Sequence, residues 1–88
     1  MVYSFLVPYV FLHQGHCAKG YKGPKTVQEN LIDCRNECAN RSNIGYFAYK
    51  TGHTCACYLA DAGCPDDEHH DYLNAYRIVR GGISLLKN

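Results

Sequence analysis

Six cysteines hold most of the reactive chemistry of this sequence: Cys17, Cys34, Cys38, Cys55, Cys57 and Cys64. Two of the pairs are close in sequence, Cys34-x3-Cys38 and Cys55-x-Cys57. Four thiolates gathered from those pairs could bind zinc, but zinc sites usually use C-x2-C knuckles, and neither pair has that spacing. An even number of dispersed cysteines favours three disulfides instead. Disulfides persist in oxidising compartments, so the sequence reads as extracellular or secreted. Bonded cysteines are not nucleophiles. The histidines His13, His16, His53, His69 and His70 then have no thiol to activate, and Ser4, Ser42 and Ser84 lie in no nucleophile motif. The expectation is a protein that is not an enzyme and needs no cofactor.

Three other groups carry possible chemistry. Asp66, Asp67, Glu68, His69, His70 and Asp71 form a run of carboxylates and imidazoles. Such donors suit calcium or zinc, yet the run lacks the spaced acids and central glycine of an EF-hand. It reads first as a solvated loop and only weakly as a metal site. Lys19, Lys22 and Lys25, interleaved with Gly20, Tyr21, Gly23 and Pro24, could make a small patch for an anion or a glycan. Asn40-Arg41-Ser42 is an N-glycosylation sequon, so Asn40 is the candidate acceptor.

These residues must be positioned by very little chain. Eighty-eight residues make one domain, too short for a Rossmann or TIM-type enzyme. A domain of this size buries a modest share of its surface, and covalent staples compensate. The net charge of +1 makes nucleic acid an unsuitable partner. Thr26-Val27-Gln28-Glu29 matches a capping box, and Val27, Leu31, Cys34 and Cys38 follow on one helical face. The pattern predicts a helix over 26–41 with both cysteines on its buried side. Ile44 to Tyr49 reads as a strand, Thr51-Gly52 as a turn, and His53 to Leu59 as the return strand. Alternation places Cys55 and Cys57 on one face of that strand. Tyr72 to Arg80 is the last strand.

The N-terminal stretch from Val2 to Leu12 is almost wholly apolar but too short to span a bilayer as a helix. It has the length of a secretory signal core. Against that, no cation precedes it, Pro8 interrupts it, and its residues are strand formers. Residues 1–16 are therefore expected to be a retained apolar arm or an uncleaved signal-like segment. Tyr3, Phe5, Leu6, Val7, Tyr9 and Phe11 would be its sticky positions, used either on the chain's own sheet or on another copy of the chain.

The pieces Cys17, Asp33-Cys34-Arg35-Asn36-Glu37-Cys38, Gly45-Tyr46-Phe47-Ala48-Tyr49, Cys55-Ala56-Cys57-Tyr58 and Tyr72-Leu73-Asn74-Ala75-Tyr76-Arg77-Ile78 together resemble the PAN/apple family. The resemblance covers about 17–80 and leaves 81–88 as a short tail. Where that family usually has a cysteine before the aromatic strand, this chain has Asn43-Ile44. The WSC carbohydrate-binding module, with its own C-x3-C helix and C-x-C strand, is a second resemblance; it usually carries eight cysteines. The PAN/apple resemblance implies an α+β fold, one helix on a curved antiparallel sheet stapled by disulfides. By analogy with that family's nested order it implies the bridges Cys34–Cys57, Cys38–Cys55 and Cys17–Cys64. It further implies an extracellular module that contacts a protein or a carbohydrate. The alternative expectation is a structural subunit that assembles into an extracellular filament through the N-terminal arm.

Overall fold

A computed structural model describes residues 8–50, 54–68 and 73–80. Among them the chain forms β1 (Tyr9–Gln14), β2 (Thr26–Val27), α1 (Leu31–Ala39), β3 (Ile44–Tyr49), β4 (Thr54–Leu59), a single 3-10 turn at Ala60–Ala62, and β5 (Asn74–Ile78). The strands make one antiparallel sheet in the order β1-β5-β3-β4-β2. The fold is α+β, one helix on a five-stranded sheet, stapled by three disulfides.

The helix is shorter than the capping box implied. It starts at Leu31 because Asn30, in extended conformation, accepts the Asp33 N–H on its side-chain oxygen at 2.9 Å. Asparagine is a stronger N-cap than threonine. Asp33 also sets a carboxylate in the first turn, where the helix dipole favours it. Thr26 instead pairs with Cys55 across β2 and β4, and the Tyr49 hydroxyl donates to the Gln28 carbonyl at 2.8 Å. Those contacts hold residues 26–28 extended. Val27, expected on the buried face, is 76% exposed. Cys34 and Cys38 are fully buried as anticipated, with Leu31 half-buried beside them.

The sheet is packed on both sides. Toward the helix lie Ile44, Phe47, Tyr49, Cys55, Cys57 and Ile78, with Tyr9 and Tyr76 against them. Phe47 and Tyr76 stack at 5.1 Å, and Tyr9 meets both rings edge-on. Fully burying a side chain such as Phe47 is worth about 1.5–3 kcal/mol. The opposite side carries Ala48, Ala56, Tyr58 and Ala75, covered by Cys17 and Cys64 from the flanking loops. Small residues there let the loops sit close to the strands.

Two irregularities in the pairing decide where side chains point. Between Ile44↔Leu59 and Tyr46↔Tyr58 the register shifts at Gly45, where a Cβ would come within 2.7–2.8 Å of Ala60. Between Phe11↔Tyr76 and His13↔Ala75 it shifts at Leu12. Without that extra residue, His13 would share the helix side with Tyr9 and Phe11. The bulge turns it to the other side, with Ala75.

The cysteine pairing corrects the analogy. Cys17–Cys64 forms as implied, but the helix bridges are Cys34–Cys55 and Cys38–Cys57, not Cys34–Cys57 and Cys38–Cys55. The chain reverses once between α1 and β3 and again between β3 and β4. Two reversals bring β4 back in the direction of α1, so the first cysteine of the helix meets the first of the strand. The spacings match as well: four residues of helix rise about 6 Å and two of strand about 6.8 Å. Bridges of separation 19, 21 and 47 each contribute about 3–4 kcal/mol by restricting the unfolded chain.

Candidate functional site

Two surface regions bring potentially active side chains together. The first is the strap that crosses from Cys17 toward β2. Residues 20–22 lie along β4: the Leu59 N–H donates to the Gly20 carbonyl at 2.8 Å and the Lys22 N–H to the Cys57 carbonyl at 2.9 Å. Tyr21 is thereby set opposite Tyr58, with ring centroids 6.0 Å apart. Gly23 packs so close to the Tyr21 ring that a Cβ there would lie 3.0 Å from the hydroxyl oxygen. The ring is braced from two directions yet remains 50% exposed.

One ammonium stands over it, and a guanidinium ties its strap to the helix. The Lys25 ammonium stands 5.8 Å from the Tyr21 ring centroid. Arg41, just past the helix, donates from Nη1 to the Lys22 carbonyl at 3.2 Å and from Nη2 to Glu37 Oε2 at 3.0 Å. Lys19, Lys22 and Lys25 are all exposed. The arrangement offers an apolar ring surface beside ammonium and guanidinium groups, which can hold a flat apolar face and an anionic substituent at once. The three lysines were legible as a patch. Arg41 and Tyr58 were not, since only the folded chain brings them to the strap.

The second region surrounds Cys17–Cys64. His13 faces the Gln14 carbonyl through Nδ1 at 2.8 Å and the Cys64 carbonyl through Nε2 at 2.9 Å, and Nε2 lies 3.6 Å from Cys64 Sγ. Both acceptors are satisfied only when both ring nitrogens carry hydrogen. Burial opposes that charge by desolvation, but the two carbonyls and the carboxylates of Asp66 and Asp67 outweigh it, and the His13 pKa is raised. His16 Nδ1 lies 2.8 Å from Asp67 Oδ2, and the Asp67 side chain is only 4% exposed. Part of this corner had a signal in the sequence: once Cys17 and Cys64 pair, His16, next to one, is brought toward Asp66 and Asp67, just after the other.

The acidic run is drawn into the loop's own structure. Asp66 Oδ1 accepts the Glu68 N–H at 2.7 Å, and Asp66 bridges to Cys17 through the backbone. Asp67 meets His16, while His69, His70 and Asp71 fall outside the described residues. Among the described residues, the potential metal ligands that do gather are Cys34, Cys38 and Cys55, within 4.8 Å of one another. All three sulfurs are engaged in disulfides and have no thiolate to offer.

Asn40 is exposed at the C-terminal cap of α1. Of the N-terminal arm, Tyr3, Phe5, Leu6 and Val7 fall outside the described residues. Its second half is β1, which completes the chain's own sheet, with Tyr9 half-buried and Phe11 54% exposed. No helix among the described residues is long and apolar enough to cross a membrane. Comparison with protein-family models, with curated proteins and with solved structures finds no match.

Proposed function

We propose that this domain is an extracellular, non-enzymatic binding module of PAN/apple-like type that contacts a protein or carbohydrate ligand. The observation that carries this reading is the braced, half-exposed Tyr21 ring with the Lys25 ammonium 5.8 Å from its centroid, on a strap whose Lys22 carbonyl accepts from Arg41. A stapled small core with an outward aromatic and several cations suits recognition of a sugar or peptide bearing carboxylate or sulfate groups. An oxidising compartment accords with six bonded cysteines. In such a compartment the exposed Asn40 carries an N-linked glycan, and a mobility shift on treatment with an endoglycosidase tests this. The main test is an array of neutral and acidic glycans, followed by titration with Tyr21→Ala and Lys25→Ala. Binding to acidic glycans that both variants weaken supports the reading. Binding that neither variant alters removes the strap from it.

One observation favours a second reading, self-assembly. Strand β1 is an edge of the sheet, and it presents Val10, Phe11 and Leu12 to solvent. An edge strand with three exposed apolar side chains is a template for pairing with another chain. Light scattering of the intact protein beside Phe11→Asp and a form lacking residues 1–12 separates the readings. Assemblies that the aspartate dissolves favour a structural subunit, and a monomer throughout leaves the binding module.

A further inference from the structure

The three disulfides are not equally reachable. Cys34, Cys38, Cys55 and Cys57 are fully buried between helix and sheet. Cys17 is buried too, but its partner Cys64 is partly exposed on the other side of the sheet. Cys64 also differs in its surroundings. His13 sits with Nε2 3.6 Å from its sulfur, and the two carbonyl acceptors around the ring favour the imidazolium. A cation at that distance attracts an incoming thiolate. Thiol–disulfide exchange depends on access to the attacked sulfur, and its mixed-disulfide intermediate needs room. Cys64 is partly exposed, whereas the four cysteines beneath the helix are fully buried.

We propose that Cys17–Cys64 is a thiol-responsive modification site, opened by a low-molecular-weight thiol while the other two bridges stay closed. The thiolate sulfur of the small molecule bonds to Cys64 Sγ. The Cys64–Cys17 bond breaks, and Cys17 leaves as a thiolate that takes a proton from water. A second small thiolate then attacks the mixed disulfide on its exogenous sulfur, releasing the small-molecule disulfide and the Cys64 thiol. The two small thiols are oxidised and the bridge is reduced by two electrons.

The fold survives the opening. Backbone hydrogen bonds from Ala18 N to the Pro65 carbonyl at 2.9 Å and from Gly15 N to the Leu73 carbonyl at 2.7 Å flank the bridge on both sides. They keep Cys17 beside Cys64, so the released small-molecule disulfide, as the oxidant, re-forms the bond by the reverse exchange, giving back two small thiols. The covalent anchor at the start of the strap is what opening removes.

The experiment treats the native protein with graded reduced glutathione, quenches with an alkylating agent, and maps cysteines by mass spectrometry. The expected result is glutathione on Cys64 and alkyl on Cys17 at concentrations that leave Cys34–Cys55 and Cys38–Cys57 intact. The Cys17–Cys64 bridge should open faster than either by on the order of tenfold or more. Opening of all three together, earlier opening of a helix bridge, or glutathione on Cys17 instead of Cys64 overturns the proposal. His13→Gln should slow glutathione addition at Cys64 severalfold in the native protein and leave the rate unchanged in denaturant. An unchanged native rate would remove His13 from the site.

Discussion

Cys38 Sγ lies 3.8 Å from Cys55 Sγ, although each is bonded to a different partner. The two helix bridges are thus packed side by side, and their pairing is a choice among sulfurs already in contact. Direction makes the choice: α1 and β4 run the same way, so Cys34 reaches Cys55 and Cys38 reaches Cys57.

That proximity has a consequence for mutants. Cys34→Ala leaves Cys55 as a thiol 3.8 Å from Cys38 Sγ. Its thiolate can attack Cys38, forming Cys38–Cys55 and releasing Cys57 as the thiolate. Both Cys55 and Cys57 should therefore be alkylated in fractional amounts that sum to one thiol per chain. Labelling confined to Cys55 in the folded variant would mean that the helix holds the sulfurs too rigidly to exchange.

The helix start offers a cleaner measurement. Asn30 supplies the side-chain cap and Thr26 does not. Asn30→Ala should cost about 1 kcal/mol, within the range for loss of a capping side chain. Glu29, exposed and outside the helix, should tolerate alanine within about 0.5 kcal/mol. Equilibrium denaturation of both variants decides between the cap at Asn30 and a capping box begun at Thr26.

How much of this was visible in the residues varies with the range of the forces involved. Cys34 and Cys38 share a helical face, and Cys55 and Cys57 a strand face, because those periods are local; both facts follow from spacing alone. Even the bridge order was within reach, because a short link after the helix and a hairpin after β3 impose two reversals. Family analogy pointed the other way. The helix start was less legible, because Thr26-x-x-Glu29 satisfies a local rule that β2 pairing and the Tyr49–Gln28 hydrogen bond override. The bulge at Leu12, which aims His13 at Cys64, has no sequence marker at all.

Gly45 tests the tightness of the β3–β4 corner. A methyl group there would meet Ala60 Cβ at 2.7 Å and Ala60 Cα at 2.8 Å, and neither atom belongs to a flexible side chain. Gly45→Ala must push the 3-10 turn away from the sheet. Destabilisation of about 1–3 kcal/mol is expected, the usual cost of overpacking. Adding Ala60→Gly removes the closest atom and should recover part of the loss. A double mutant no more stable than Gly45→Ala would show that the Ala60 backbone, not its methyl group, sets the limit.

The His13 contacts carry a signed dependence on pH. Desolvation lowers its pKa, but the Gln14 and Cys64 carbonyls and the Asp66 and Asp67 carboxylates raise it further, so the folded value lies above the ordinary 6.5. A group whose pKa is raised on folding binds its proton more tightly in the folded chain. Its contribution to stability is complete below the unfolded pKa and is lost as pH rises through the folded one. The stability difference between the wild-type chain and His13→Gln should therefore be largest near about pH 5 and should shrink steadily toward about pH 8. Comparing the two chains at each pH removes the titration of groups remote from His13. Denaturation midpoints across this window provide the measurement. A difference that grows with pH would mean that neutral His13 is the form the fold prefers, and that one of the two carbonyl contacts is not a hydrogen bond.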